Sequence, residues 1–281
     1  MARLFYLLSG LVGYMAAVGA LVYLILFVGD FFVPKTINSP ALIDLGPAIL
    51  INTILIVIWG LQHSVMARPG FKAAWTKVVP EPSERAVYCI ATALVTWILV
   101  YFWQPMPGVL WDVSGSTLGT VLLAVYLLGW VVVLASSFMV NYFPLFGLQQ
   151  AFSGARDGTA GEHKFVTPLL YRVVRHPIQL GVLISLWAAP TLTEGRLLLA
   201  VVFTIYIYVG LRYEEKDLIE YFGDEYRAYQ GTGKPETDEP LLFSTVVMIV
   251  DMAVHGYLIP SFGSPALGSL LIKILISSSS P

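Results

Sequence analysis

Long apolar runs separated by short charged stretches dominate the chain. Residues 4–29 carry no charge and lie between Arg3 and Asp30. Residues 45–67 form a second such run, between Asp44 and Arg68. A third begins at Ala86, and its helix is expected to stop near Trp103, ahead of Gln104-Pro105. A fourth covers 118–140. Each is close to the ~20 apolar residues that an α-helix needs to cross a bilayer. Two shorter runs, 177–193 and 197–211, sit near the lower limit, and Glu194-Gly195-Arg196 between them reads as a tight turn in a helical hairpin. The small residues Ala16 to Ala20 have the look of a signal-peptide cleavage site. The first run continues well past them, however, whereas a signal h-region is only ~7–15 residues, so a retained helix is expected.

The charged stretches alternate in kind. Arg68, Lys72, Lys77 and Arg85 separate spans two and three; Arg156, Lys164, Arg172 and Arg175 separate four and five; Arg212, Lys216, Arg227 and Lys234 follow six. The other side has only Lys35 and Arg196. Lys/Arg excess marks the cytoplasmic face, so the amino terminus and the three basic segments are expected there, in an integral membrane protein of the bacterial inner membrane.

Composition sharpens the class. Of the 281 residues, 57% are hydrophobic and 12% charged, against roughly 25% charged in a soluble domain. A conventional soluble enzyme is excluded, and a net charge of −2 gives no footprint for nucleic acid. Cys89 is the one cysteine, so neither an intrachain disulfide nor a cysteine metal cluster is available. The expected fold is all-α: a polytopic membrane bundle of about six transmembrane helices with a cytoplasmic site. Residues 1–140 hold four spans, 141–230 the catalytic region with the hairpin, and 231–281 a polar linker, a possible extra apolar segment and a terminal serine run. Asp251 and His255 in that tail share a helix face without defining a function.

Ionisable residues gather in two places, one before the hairpin and one after it. The first is Glu162-His163-Lys164 through Tyr171-Arg172 to Arg175-His176-Pro177; the second runs from Arg212-Tyr213-Glu214-Glu215 to Tyr226 and Tyr229. A hairpin returns the chain to its starting face, so the two groups should meet at one membrane–water boundary. Interfacial anchoring by Lys, Arg and Tyr is the plain alternative. It explains Arg175-His176-Pro177 less well. Proline opens a helix, and cations at a helix amino terminus are unfavourable unless an anion joins them. His63, in an apolar span, is a further candidate, because intramembrane ionisable residues are commonly functional; a hydrogen-bonded interhelical histidine is the alternative.

The order His163-Lys164-Phe165-Val166, Tyr171, Arg175-His176-Pro177, Gly181, Glu214-Glu215, Phe222-Gly223-Asp224-Glu225-Tyr226 and Tyr229 resembles the isoprenylcysteine carboxyl methyltransferase-like (NnrU-like) membrane methyltransferase superfamily. The remaining stretches Val33-Pro34-Lys35-Thr36-Ile37, Gln62-His63-Ser64, Pro82-Ser83-Glu84-Arg85 and Asn141-Tyr142-Phe143-Pro144 are similar to the methanethiol S-methyltransferases within it. Gln179 stands where the family has an aromatic residue, and Tyr142 where it has histidine.

The resemblance implies an S-adenosylmethionine-dependent enzyme that methylates the small thiol methanethiol to dimethyl sulfide. Isoprenylcysteine or phospholipid methylation, or a non-catalytic protein that kept the fold, are the alternatives. Arg175, His176 and Pro177 are expected to hold the cofactor's carboxylate, and Glu214 or Glu215 its amine or ribose hydroxyls. His163, Val166 and Tyr171 would line the adenosine end, with Tyr226 and Tyr229 as a lid. His63, Asn141 and Arg175 are the candidate catalytic residues: His63 to orient or deprotonate the thiol, Asn141 to shape its pocket. No metal is required. In-line methyl transfer needs positioning above all, and positioning is worth ~7–11 kcal/mol in effective molarity.

Overall fold

The computed structural model describes residues 2–139 and 167–231. Asn141, Tyr142, His163, Val166 and the tail beyond Gly231 lie outside the described residues. Four long helices come first or nearly so: α1 (Ala2–Gly29), α2 (Leu45–Ala67), then a short α3 (Pro69–Trp75), α4 (Glu81–Phe102) and, after strand β1 (Val109–Asp112), α5 (Thr117–Met139). A 3-10 turn, Leu169–Arg172, leads into α6 (Pro177–Trp187). Strand β2 (Thr191–Thr193), α7 (Glu194–Phe222) and α8 (Asp224–Gly231) complete the described chain.

Five of these helices (α1, α2, α4, α5 and α7) are long and apolar enough to cross a membrane. Their outward faces are apolar too: Leu50, Leu94, Leu128 and Ile205 are all more than half exposed. A helix apolar all round suits lipid, not water. The chain is an integral membrane protein.

The helices alternate in direction. Arg68, at the end of α2, reaches Asp217 near the end of α7. At the opposite end, Asn52 in α2 exchanges two hydrogen bonds with Gln104 just past α4, at 2.7 and 2.8 Å. Close helix approach is built from small residues. A Cβ on Gly181 of α6 would sit 2.6 Å from the Gly129 carbonyl oxygen of α5, and one on Gly129 would sit 2.6 Å from the Gly181 carbonyl oxygen. Phe27, Leu99, Trp103, Tyr126 and Leu199 fill the core between α1, α4, α5 and α7.

The hairpin differs from expectation in three respects. First, α6 ends at Trp187, after 11 residues, or roughly 16 Å at ~1.5 Å per residue. That is about half the bilayer core. Pro190 explains the stop: it lacks an N–H and disfavours helix at Ala189. Secondly, the turn lies at 188–193, not at Glu194-Gly195-Arg196. Those three residues form the first turn of α7, where the Thr193 side chain caps the helix by accepting from the Arg196 backbone N–H at 3.3 Å. Thirdly, the fold is helical as expected apart from one small sheet at this turn. β2 pairs antiparallel with β1 in a two-stranded sheet across this turn, Val109 opposite Thr193 and Asp112 opposite Thr191.

Arg196 is therefore not a surface loop charge. It is 2% exposed. Its guanidinium donates to the Val28 carbonyl at 2.9 Å, the Ser185 carbonyl at 3.3 Å and the Ala188 carbonyl at 3.2 Å, over the Tyr126 ring. Trp111 supplies the Ala189 carbonyl with an indole N–H at 3.0 Å. Broken helix inside a membrane protein must have its carbonyls satisfied by other protein groups, and Arg196 and Trp111 do this.

The segment 197–211 also grows. α7 is one helix of 29 residues, so Arg212, Glu214, Glu215 and Asp217 extend from a bundle helix rather than lying in a loop.

Candidate functional site

The basic end of the bundle gathers most of the sequence-marked residues that are described. Pro177 opens α6, which puts Arg175 and His176 immediately before its first turn. Glu214 and Glu215 project from α7 about two turns before its end. Gly223 then adopts φ of +57°, a conformation costly for residues with a Cβ. That reversal folds α8 back along α7 and returns Tyr226, Tyr229 and Gln230 to the same place.

Glu215 is the hub. His176 Nε2 lies 2.8 Å from Glu215 Oε1, and the Arg175 guanidinium meets Oε2 at 3.1 Å. The Tyr226 hydroxyl donates to Oε1 at 3.1 Å, and the Gln230 side-chain amide donates to Oε2. Four side chains from two segments thus converge on one carboxylate of a third. His176 is 5% exposed, so its ring is a fixed wall of the site.

Glu214 differs from its neighbour. Its side chain is 47% exposed. Gln179, in the first turn of α6, donates to Glu214 Oε2 at 3.1 Å. The residue that departs from the family's aromatic therefore orients a site carboxylate. Tyr171 and Tyr229 close the other flank, with the Tyr229 hydroxyl donating to the Tyr171 carbonyl. Burial, and then the negative charge of Glu215, push the Tyr226 phenol well above its ordinary range. Burial, followed by the charge of Glu214, does the same for Tyr171. Both phenols therefore stay protonated at physiological pH.

His63 sits apart from this cluster. Its ring stacks on Trp59 at 4.9 Å with planes 9° apart. The Tyr88 hydroxyl is 3.0 Å from Nδ1, and Arg85 lies over the Tyr88 ring at 4.6 Å. The described contacts link His63 to α4, whereas its neighbour Ser64 shares a 2.9 Å hydrogen bond with Tyr206 of α7. Pattern reading missed Gln179 as a partner, Gln230, and the Arg68–Asp217 pair at 2.7 Å. Gln230 had a signal: it stands four residues after Tyr226, on the same helix face.

The cluster can hold a zwitterion. An amino-acid carboxylate needs a cation and its ammonium needs an anion, and Arg175, Glu214 and Glu215 offer both signs within one group. These features define a polytopic membrane protein with a polar, charge-paired site at one end of an apolar bundle.

A family model described as NnrU protein matches residues 50–261. Methanethiol S-methyltransferase 1 of Bradyrhizobium diazoefficiens is 44% identical over 223 residues, 79% of this chain and 78% of the relative. Methanethiol S-methyltransferase of Mycobacterium tuberculosis is 42% identical over 230 residues, 82% of this chain and 94% of the relative. Nurim of Xenopus laevis is 33% identical over 172 residues, covering 58% of this chain and 60% of that protein. No solved structure matches the chain. The chain belongs to the NnrU family.

Proposed function

We propose that this chain is a methyltransferase that methylates methanethiol to dimethyl sulfide, with S-adenosylmethionine as the methyl donor. The observation that carries the reading is identity of 37–44% to relatives of that name over about four-fifths of the chain. The charge-paired cluster around Glu215 supports it, because it suits the amino-acid end of such a donor. The donor's sulfonium supplies an electrophilic methyl group.

The chain's own residues do the rest. The Arg175 guanidinium binds the donor's carboxylate, with His176 fixing Arg175's partner Glu215 in place. Glu214, held by Gln179, takes the ammonium or the ribose hydroxyls. Pro177 starts α6 so that Arg175 and His176 stand at its positive end. Tyr171, with His163 and Val166, lines the adenosine end; Tyr226 and Tyr229 on α8 cover it and exclude water. Asn141 shapes the thiol pocket. The acceptor must lose its S–H proton, since the thiolate is the nucleophile. His63, positioned by Trp59 and Tyr88, orients or deprotonates the thiol. The donor, held by Arg175, Glu214 and Glu215, would supply its methyl group to the thiolate sulfur at the expense of its own S–CH3 bond. The products are dimethyl sulfide, the demethylated donor and a proton.

The Lys/Arg bias of the site's end supports a cytoplasmic orientation in a bacterial inner membrane. The test is release of dimethyl sulfide from purified protein in lipid nanodiscs given both substrates. Donor binding without product would retain a methyltransferase site and reject methanethiol as its acceptor.

A further inference from the structure

Towards the basic end, α2 and α7 meet along a seam of matched side chains. Tyr206 of α7 lies over Gly60 of α2, where an added Cβ would come within 3.0 Å of the Tyr206 ring. The Tyr206 hydroxyl shares a 2.9 Å hydrogen bond with the Ser64 hydroxyl. One turn further along α2, Arg68 meets Asp217 at 2.7 Å and lies over the Tyr213 ring at 5.2 Å. Gly60, Ser64 and Arg68 follow one another at intervals of four residues, and Tyr206, Tyr213 and Asp217 at intervals of seven and four. Each set therefore occupies one helix face. The two faces ascend in step, so the seam sets the register of α2 against α7.

That register matters because of what each helix carries. His63, assigned to the thiol, is on α2, and Glu214, assigned to the donor, is on α7. Tyr206 grips α2 on both sides of His63 in sequence. Its ring meets the Trp59 ring edge-on at 5.8 Å, and Trp59 stacks on the imidazole with planes 9° apart. Its hydroxyl holds Ser64, the residue after His63. Both neighbours of the imidazole thus rest on one tyrosine of the helix that bears the donor carboxylates.

We propose that Tyr206 is a positioning residue for methyl transfer, setting His63 against the donor site on α7 through Trp59 and Ser64. The inference rests on the function proposed above and on the place of His63 in it. Tyr206 acts through these two neighbours, not by contact with the thiol. In-line transfer tolerates little displacement, and a misplacement of ~1 Å can cost about a hundredfold in rate.

The test uses the full chain in nanodiscs with Tyr206→Phe and Ser64→Ala, each of which deletes the hydroxyl–hydroxyl bond and leaves the aromatic ring in place. Calorimetric titration gives S-adenosylmethionine affinity, and headspace analysis gives kcat/KM for methanethiol. Each variant should lower kcat/KM about twofold to tenfold, the scale of one neutral hydrogen bond, with donor affinity unchanged. The double variant should lose no more than either single one, because both remove the same bond. Carbon-13 in the histidine rings adds a readout independent of turnover. The chain has four histidines, and loss of one signal in His63→Gln assigns His63. Its resonance should move in Tyr206→Phe. Wild-type kcat/KM, or an unmoved His63 signal, in folded Tyr206→Phe would overturn the proposal. Equal losses of donor affinity and kcat/KM would overturn it too, because they mark general damage to the bundle. If the wild type forms no dimethyl sulfide, the function proposed above falls. A moved His63 signal then keeps Tyr206 as the residue that positions the imidazole, and an unmoved one rejects both.

Discussion

His176 and Glu215 lock α6 to α7: the imidazole Nε2 stands 2.8 Å from the carboxylate Oε1, with the ring almost wholly buried. The same carboxylate takes Arg175 through its other oxygen. Removing it takes the shared acceptor from four side chains, and hydrogen bonds to charged groups are worth ~1.5–3 kcal/mol each. Glu215→Ala should lower unfolding stability by about 2–4 kcal/mol and weaken S-adenosylmethionine binding more than Glu215→Gln does. Thermal unfolding and calorimetric titration in nanodiscs check both. Equal donor affinity in wild type and Glu215→Ala would remove the carboxylate from the site.

Tyr226 gives a pH-dependent version of the same contact. Its folded pKa is raised, by burial and by Glu215, above an unfolded value of about 10. A raised pKa means that the contribution is fully present below the unfolded value and is lost as pH rises towards the folded one. Tyr226→Phe should therefore be less stable than wild type at pH 7. The gap should narrow above about pH 10. Denaturant midpoints across that range test it, and a gap that widens with alkali would contradict the assignment.

Gln179 tests whether a departure from the family pattern is a functional adjustment. It donates to Glu214 across 3.1 Å. A hydrogen bond of ~0.5–1.5 kcal/mol corresponds to a change of about twofold to tenfold. Gln179→Ala should weaken donor binding within that range and shift the melting temperature little, because Glu214 is half exposed. Affinity unchanged from wild type would mean that Glu214 needs no orienting partner.

Arg196 carries structural weight at the other end. It satisfies two carbonyls where the α6 helix breaks and one at the end of α1. Arg196→Met leaves those acceptors buried without donors, at ~1–3 kcal/mol each, so a loss of more than about 3 kcal/mol is expected. Any protein that does fold should bind S-adenosylmethionine normally, because the charge-paired site lies at the opposite end. Denaturant unfolding and donor titration separate the two effects.

The sequence made the bundle legible because lipid leaves no choice. Apolar runs such as 45–67 and 118–140 become helices of nearly those bounds, α2 and α5. The meeting of Arg175-His176-Pro177 with Glu214-Glu215 was also legible, since a hairpin must return to its own face. The break at Ala189-Pro190 was harder. A composition window sees apolar residues there, whereas the outcome depends on one missing N–H and a distant arginine. Arg196 looked like a loop charge because its carbonyl partners are up to 168 residues away in sequence. Gln179 was invisible as a site residue for a related reason, and Gln230 showed only its spacing from Tyr226. Neutral amides carry no charge pattern, and their role exists only once α6, α7 and α8 are packed.

Isotope tracing tests the central claim most directly. Purified protein in nanodiscs receives methanethiol and S-adenosylmethionine bearing a trideuterated methyl group, and the headspace gas is analysed by mass spectrometry. The account predicts dimethyl sulfide carrying one deuterated methyl, formed by wild type and reduced at least about tenfold by Arg175→Ala, the scale of a lost charge-assisted contact. Absence of labelled dimethyl sulfide from folded, donor-binding wild-type protein would contradict it.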